Sequence, residues 1–389
     1  MRLGIVVHGR FFAFDLARAL IEKGHDVTLF TNYPKWAVRR FGIGKSHVSS
    51  FWAHGVISRG AARVCRTLHL SYPEAYHHSV FGRWAARQMR NNRFDAVFCF
   101  SGVAEEVFLA LKGTKTARLL SRCSAHIDVQ REILLAEQRR AGARIAIPSD
   151  WIVSRERREY GLADRIVVLS KFARESFSEK GEGAGRMATL LLGADLAQFR
   201  PPEEVIASRC DRVISGEPLR VLYTGAVSYR KGLIDLLDIA RFAGPSFRFR
   251  TVGPVDVAAL DLLSQSTAIL EVRPKQPQGQ LKESYAWADL YLFPTVEDGF
   301  PVVLAQAQAS GLPILTTPNC SGPDIVVEGR TGWILPIRTP GAFLERLAWC
   351  DANRDAVVQM IRNVYQSYEV RDWAAVADDF VRLVEDVKS

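Results

Sequence analysis

The sequence predicts an α/β protein of two domains, each a parallel sheet with helices on its faces. Three observations carry that reading. The chain has 389 residues with 48% hydrophobic content, more than one core of ordinary size encloses. It opens on a βαβ pattern, with Leu3 to Val7 as a buried-type strand, Ala13 to Lys23 as an amphipathic helix and Asp26 to Thr31 as a second strand. Strand-loop-helix units then recur in the second half, at Arg220 to Ala243 and at Leu290 to Gly311.

Composition narrows the class. No run reaches the roughly 18 apolar residues of a membrane span, and Arg10, Asp15 and Arg18 interrupt the N-terminus, so neither an anchor nor a secretory signal is expected. The six cysteines form no C-x-x-C pair and are expected as buried free thiols in a cytoplasmic protein. With no zinc spacing, no H-E-x-x-H and no D-x-D, no metal is expected. Charge is lopsided: residues 1–200 hold 32 Lys+Arg against 18 Asp+Glu, the remainder 19 against 24. Such a basic half is either a solvated face or one drawn to an acidic acceptor or an anionic membrane; nucleic acid is not expected, because no aromatic-interleaved basic motif is present.

In chain order, the loop His8 to Phe12 carries one glycine and lacks G-x-G-x-x-G, which argues against a dinucleotide-dependent oxidoreductase. Residues 33–92 are rich in aromatics, histidine and arginine. Tyr76 to Arg90 can be drawn as a basic helix with Val80, Trp84 and Ala85 on its apolar side and Arg83, Arg87 and Arg90 opposite, and His77 and His78 are expected at the surface. Phe94 to Phe100 is a strand, Val103 to Gly113 a helix, and Thr116 to Arg122 a strand followed by His126. The end of such a strand is where α/β folds collect functional side chains. A capping or core histidine is the other reading of His126. Ser170 is placed to cap the helix from Lys171, and Gly193 to Pro201 reads as the interdomain linker.

Beyond the linker, Arg230 and Lys231 stand at the entrance of a helix, where the macrodipole disfavours cations. Binding a diphosphate is one reason to place them there. The stretch Leu290 to Gly311 is a strand, an acidic-glycine loop and a short helix with Pro301 in its first turn. The free amides at that helix start favour an anion, Asp298 lies at the mouth as an acceptor for hydroxyls, and Gln306 shares a face with Val302. Together they describe a pocket for something both polyhydroxylic and phosphorylated.

The D-G-F-P of residues 298–301, the spacing from Asp298 to Gln306 and the A-x-A-S-G-L-P that follows closely resemble the E-x7-E region of retaining glycosyltransferases of family 4. Residues 151–201 resemble the family too, as does Gly225 followed by Arg230, Lys231 and Gly232. The resemblance implies a GT-B fold of two Rossmann-like domains facing across a cleft. Residues 1–195 would bind the acceptor, joined by a returning helix at 370–389, and 196–369 the donor. It implies a nucleotide-sugar donor, UDP- or GDP-linked, as co-substrate with no cofactor. The acceptor would be a glycan, a lipid-linked or a small molecule, and contact with the inner face of the membrane would be peripheral. It assigns His126, Arg230 and Lys231 to catalysis, and Gly9, Gly225, Arg230, Lys231, Asp298, Gly299, Phe300, Pro301, Val302 and Gln306 to the donor. The chain departs from the family at Asp298 and Gln306, where Glu is usual, with Glu297 adjacent, and at Ala226, where arginine is common. A non-catalytic sugar-nucleotide scaffold, and an epimerase or phosphorylase of the same fold, are the alternatives.

Overall fold

The computed structural model describes residues 1–68, 70–90, 92–194, 196–266 and 268–388, excluding the side chains of Arg66 and Gln278; residues 195 and 389, which bound the expected domains, lie outside the described residues. Two all-parallel sheets account for its strands. The first contains β1 (Arg2–Val7), β2 (Asp26–Thr31), β3 (Val48–Ser50), β4 (Ala96–Phe100), β5 (Ala117–Arg122), β6 (Arg165–Val168) and β7 (Met187–Thr189), in the order β3-β2-β1-β4-β5-β6-β7. The second contains β8 (Leu219–Thr224), β9 (Phe247–Val252), β10 (Leu270–Arg273), β11 (Leu290–Phe293), β12 (Ile314–Thr316) and β13 (Gly332–Ile334), in the order β10-β9-β8-β11-β12-β13.

The strands read as continuous apolar runs because helices cover both faces of each sheet. One face of the first sheet buries Leu3, Ile5 and Val7 with Phe14, Leu16 and Leu20 of the helix Ala13–Glu22. The opposite face buries Val6 and Phe30 with Phe81, Phe108 and Phe177. The second sheet has one core of its own, centred on Val221, Leu222, Leu292 and Leu315. The last helix, Trp373–Lys388, buries Val376, Ala377, Phe380, Leu383 and Val384 in the first sheet's core, so the chain returns to the lobe in which it started. Its path crosses the linker, where the Ala194 amide donates to the Arg371 carbonyl (3.1 Å) and the Arg371 guanidinium donates to the Leu191 carbonyl (3.0 Å).

Two expectations for residues 33–92 are corrected. The helix Glu74–Met89 keeps Arg83, Arg87 and Arg90 in solvent, but it buries Phe81, Ala85, Ala86 and Met89, and Val80 and Trp84 are only half-buried. His77 is buried, not superficial, and His78 is half-buried with Nδ1 against the Gly102 carbonyl (2.9 Å). With His8 and His54 they form a cluster whose rings stand 5.3–5.5 Å apart. Burial lowers every pKa in the cluster, that of His8 to about 3, with further lowering from its neighbours His78, His54 and His77. Ser170 does cap its helix, its Oγ accepting from the Ala173 amide (3.2 Å).

Candidate active site

Each sheet reverses its direction of growth once, between β1 and β4 in the first and between β8 and β11 in the second. At such a switch point the loops leaving neighbouring strands diverge and open a crevice. In the second lobe those loops are Gly225–Gly232 after β8 and Pro294–Pro301 after β11. They hold most of the residues singled out from the sequence.

Arg230 and Lys231 lie on one 3-10 turn, Tyr229–Lys231, closed by Gly232. Gly232 has φ +81°, and a Cβ there would overlap the Pro294 carbonyl, so only glycine permits the two loops to touch. The contact is sealed by the Arg230 carbonyl, which accepts from the Val296 (3.1 Å) and Glu297 (3.3 Å) amides. The two cations therefore stand above the β11 loop in fixed places. Lys231 pairs with Asp298, and Arg230 donates from Nε to Glu297 Oε2 at 2.8 Å.

Gly299 brings the first lobe in. A Cβ at this position would overlap the Cys123 carbonyl, which closes the β11 loop directly onto the β5 loop across the cleft. Phe300 packs beside Cys123 against the first lobe's core. Pro301 does not lie within the first helical turn, as expected, but precedes the helix Val302–Ala309 as its N-cap, with extended φ −73° and ψ 104°. Proline's fixed φ suits this capping position as well as the first turn. Val302 is exposed at the amino end.

Gln306 is more enclosed than its place on the Val302 face implies. It is 8% exposed, and its Oε1 accepts from Tyr285 Oη (2.9 Å), which also bonds Thr224 Oγ1 (2.6 Å). Among the described bonds none engages Nε2. Toward a ligand this amide therefore offers a donor, where a glutamate would offer an acceptor. Gly225 lies at the crevice floor, its amide donating to the Val252 carbonyl (3.0 Å).

On the first lobe, the Gly9 amide donates to Asn32 Oδ1 (2.9 Å) and its carbonyl accepts from Thr31 Oγ1 (3.2 Å), so its polar groups are engaged within the fold. Arg10 stacks its guanidinium 4.2 Å from the Phe41 ring centroid and pairs with Asp15. His126 is the N-cap of the helix Ile127–Ala141, with Nδ1 accepting from the Asp128 amide at 3.2 Å. Its ring packs against Tyr160 and Phe177 and is 4% exposed; burial lowers its pKa to about 4 against the opposing pull of Asp128. The ring is thus neutral near pH 7, and the hydrogen bond at Nδ1 assigns its proton to Nε2. Such a tautomer donates a hydrogen bond from Nε2.

Sequence reasoning named Glu297 only as a stand-in for the family's glutamate and did not foresee that it ties these pieces together. Glu297 is fully buried and accepts from Ser124, Ala125 and Gln130 of the first lobe as well as from Arg230. Its adjacency to Asp298, in a loop where neighbours face different ways, was the available signal.

Comparison with known proteins fits this geometry. The family described as "Glycosyltransferase Family 4" matches residues 11–198 and that described as "Glycosyl transferases group 1" matches residues 218–353. The chain belongs to the group 1, family 4 glycosyltransferases. Its similarity to individual family members is modest. It is 28% identical over 239 residues to the GDP-mannose-dependent alpha-mannosyltransferase of Mycobacterium tuberculosis (58% of each chain). It is also 28% identical over 231 residues to the D-inositol 3-phosphate glycosyltransferase of Nocardia farcinica (56% of this chain, 51% of the relative). The matched part spans 40–58% of the length of such relatives. In fold the likeness extends over the whole chain. Anabaena Alr3699/HepE, solved with UDP, superposes with a TM-score of 0.71 at 12% identity over 99% of this chain and all of that one. The sucrose-phosphate synthase of Thermosynechococcus elongatus gives 0.71 at 16% identity over 100% and 99%. The two-lobed architecture is the GT-B fold.

Proposed function

We propose that this family 4 glycosyltransferase moves a hexose-type sugar from a nucleoside-diphosphate sugar to a hydroxyl group, with retention at the anomeric carbon and without a metal ion. Residues 196–369 form the donor lobe; residues 1–195, with 370–389, form the acceptor lobe. One observation carries the reading: Arg230 and Lys231 share a single turn at the switch point of the second sheet, bonded to the loop that leads into the helix Val302–Ala309. Two cations and free helix amides converging at a crevice suit a diphosphate. Relatives agree in kind, since one is a GDP-mannose-dependent mannosyltransferase and one solved neighbour is in complex with UDP-glucose.

The chemical barrier lies in expelling the nucleoside diphosphate. Arg230, Lys231 and the N–H groups of Gly299, Phe300 and Val302 stabilise the negative charge that grows on the leaving oxygen. Asp298 and the Gln306 amide face the sugar and ribose hydroxyls, and His126 donates from Nε2 to a sugar hydroxyl. The positive charge that a metal often supplies comes here from the two side chains. The acceptor hydroxyl attacks from the face the leaving group vacates, its proton passing to the departing phosphate, and contact between Gly299 and Cys123 keeps water out.

The acceptor lobe presents an apolar and basic face. A groove lined by Pro34, Lys35, Trp36, Lys45, Ser50, Trp52 and Val56 adjoins the helix Trp52–Thr67, from which Ile57, Arg59, Arg63 and Val64 emerge into solvent. Among the described residues no helix is long and apolar enough to cross a membrane. Peripheral docking on the anionic cytoplasmic leaflet, where a lipid-linked acceptor would be met, fits this combination.

The test is a thermal-shift series with UDP-, GDP-, ADP- and dTDP-sugars, with and without chelator, followed by donor hydrolysis on each hit. A ligand that binds the folded state raises the melting temperature. A shift with one nucleotide, unchanged by chelator and accompanied by turnover, is the expected result. Binding without turnover in any acceptor mixture would turn the reading into that of a scaffold.

A further inference from the structure

Glu297 leaves the carboxyl end of β11 with its side chain fully enclosed, and most of its polar partners belong to the opposite lobe. Oε1 accepts from Ser124 Oγ and from the Ala125 amide (3.3 Å), and Oε2 from Gln130 Nε2 (3.0 Å). Among the described residues its ion-pair partner is Arg230, which donates to Oε2 from Nε at 2.8 Å, lies 2.7 Å away through Nη2, and reaches across to Ser124 Oγ (3.1 Å). Gln130 cannot turn its amide, because Arg122 Nη2 donates to its Oε1 (2.7 Å) while Arg122 Nε pairs with Glu156 at 3.0 Å. The NH2 of Gln130 is thereby aimed at Glu297. Two first-lobe side chains and one amide thus meet a second-lobe carboxylate whose other partner is a donor-site cation.

We propose that Glu297 is a positioning residue for Arg230, sharing its charge between the lobes so that closure frees Arg230 to hold the donor diphosphate. This rests on the donor-site reading given above. In an open molecule water replaces Ser124, Ala125 and Gln130 around the Glu297 charge, and without its bond to Ser124 the Arg230 guanidinium is no longer fixed in the crevice. In the closed molecule three first-lobe donors take part of that charge, the guanidinium plane is held by its Nε and Nη2 bonds, and the side chain is still 38% exposed. Grip on the diphosphate and closure of the lobes become one event.

The inference predicts shifts of opposite sign from the two lobes. UDP and GDP are titrated calorimetrically into the wild-type protein, Glu297→Gln and Gln130→Met, and hydrolysis of UDP-glucose and GDP-mannose is followed in parallel. Glu297→Gln leaves Arg230 with its whole charge, so the nucleotide should bind about tenfold tighter, while kcat falls at least about tenfold and KM falls with the dissociation constant. Gln130→Met keeps volume but returns the Glu297 charge to Arg230, so binding should weaken about threefold or more. A purely structural role would lower the melting temperature of both variants and move both affinities in the same direction, or neither; either result overturns the proposal. If Glu297→Gln does not fold, Gln130→Met and Ser124→Ala decide, since unchanged nucleotide affinity in both would end it. The wild-type titration is read first: failure to bind either nucleotide overturns the donor-site reading itself, and this inference falls with it.

Discussion

A lysine and an arginine at a helix entrance oppose the helix dipole, and here each cation has found a carboxylate, Lys231 with Asp298 and Arg230 with Glu297. Lys231→Ala should therefore cost little stability, since both partners are partly open to water, but should weaken nucleoside-diphosphate binding about tenfold by removing one charge-assisted contact. Calorimetric titration with UDP and GDP, beside a melting curve, separates the two effects. The histidine cluster gives a second prediction at this scale. The folded pKa of His8, about 3, lies below its ordinary 6.5 because burial penalises the charged ring, with His78, His54 and His77 adding to it. A depressed pKa contributes stability that is fully present above about pH 6.5 and is lost as pH falls toward 3, because the unfolded chain takes up the proton first. Each such group steepens the loss by up to ~1.4 kcal/mol per pH unit. Unfolding midpoints in urea should fall between pH 7 and pH 5, and His8→Gln should flatten that slope; an unchanged slope would exclude His8 as its origin. None of this was legible in the sequence, where positions 8, 54, 77 and 78 are too far apart to announce a cluster. Arg230 and Lys231 were legible because their placement breaks a local rule.

Elements were read more surely than contacts. Strand β2, which follows Gly24, and the loop-helix unit after β8, which opens at Gly225, follow from apolar runs bounded by glycine, and such punctuation depends on neighbours in sequence alone. The orientation of the helix Glu74–Met89 was misread because its apolar residues admit two faces, and packing against β1 and β2 decides for Phe81 over Val80. Helical spacing put Gln306 on the face of Val302 but could not foresee Tyr285, which reaches its Oε1 from another helix. The exposed face around Trp36 and Trp52 is an element-scale property with its own test. Trp36→Ala with Trp52→Ala should lower binding to vesicles containing phosphatidylserine about tenfold, and added salt should weaken wild-type binding through the neighbouring Lys35 and Lys45. Co-sedimentation with anionic and neutral vesicles measures both. Equal binding by wild type and variant would remove this face from the membrane reading.

At the scale of the whole molecule the lobes also meet through ion pairs outside the crevice loops. Arg140, on the helix Ile127–Ala141 of the first lobe, forms a bidentate pair with Asp235 of the second at 2.9 and 2.5 Å, and Arg338 reaches back to Glu137 (2.8 Å) and to the Ile133 carbonyl (2.8 Å). Asp235 and Glu137 are almost fully buried, so these pairs exist as drawn only while the lobes are closed. Parting the lobes hydrates the carboxylates. On the proposed function, admitting a donor and releasing a nucleotide makes and breaks this contact in each cycle, and ion pairs suit that task because water can replace them, as it cannot replace apolar burial. Arg140→Ala removes the cation and leaves Asp235 with no charge partner in the closed form, which shifts the balance toward the open one. Small-angle scattering should then show a larger radius of gyration without nucleotide, and kcat/KM for donor hydrolysis should fall about tenfold or more, since closure costs more. Adding Asp235→Asn removes the stranded charge and should recover part of that loss. If Arg140→Ala instead left both scattering and turnover unchanged, closure would depend on the Gly299 and Glu297 contacts at the crevice alone, and the helix Ile127–Ala141 would serve only to carry Gln130 to its partner.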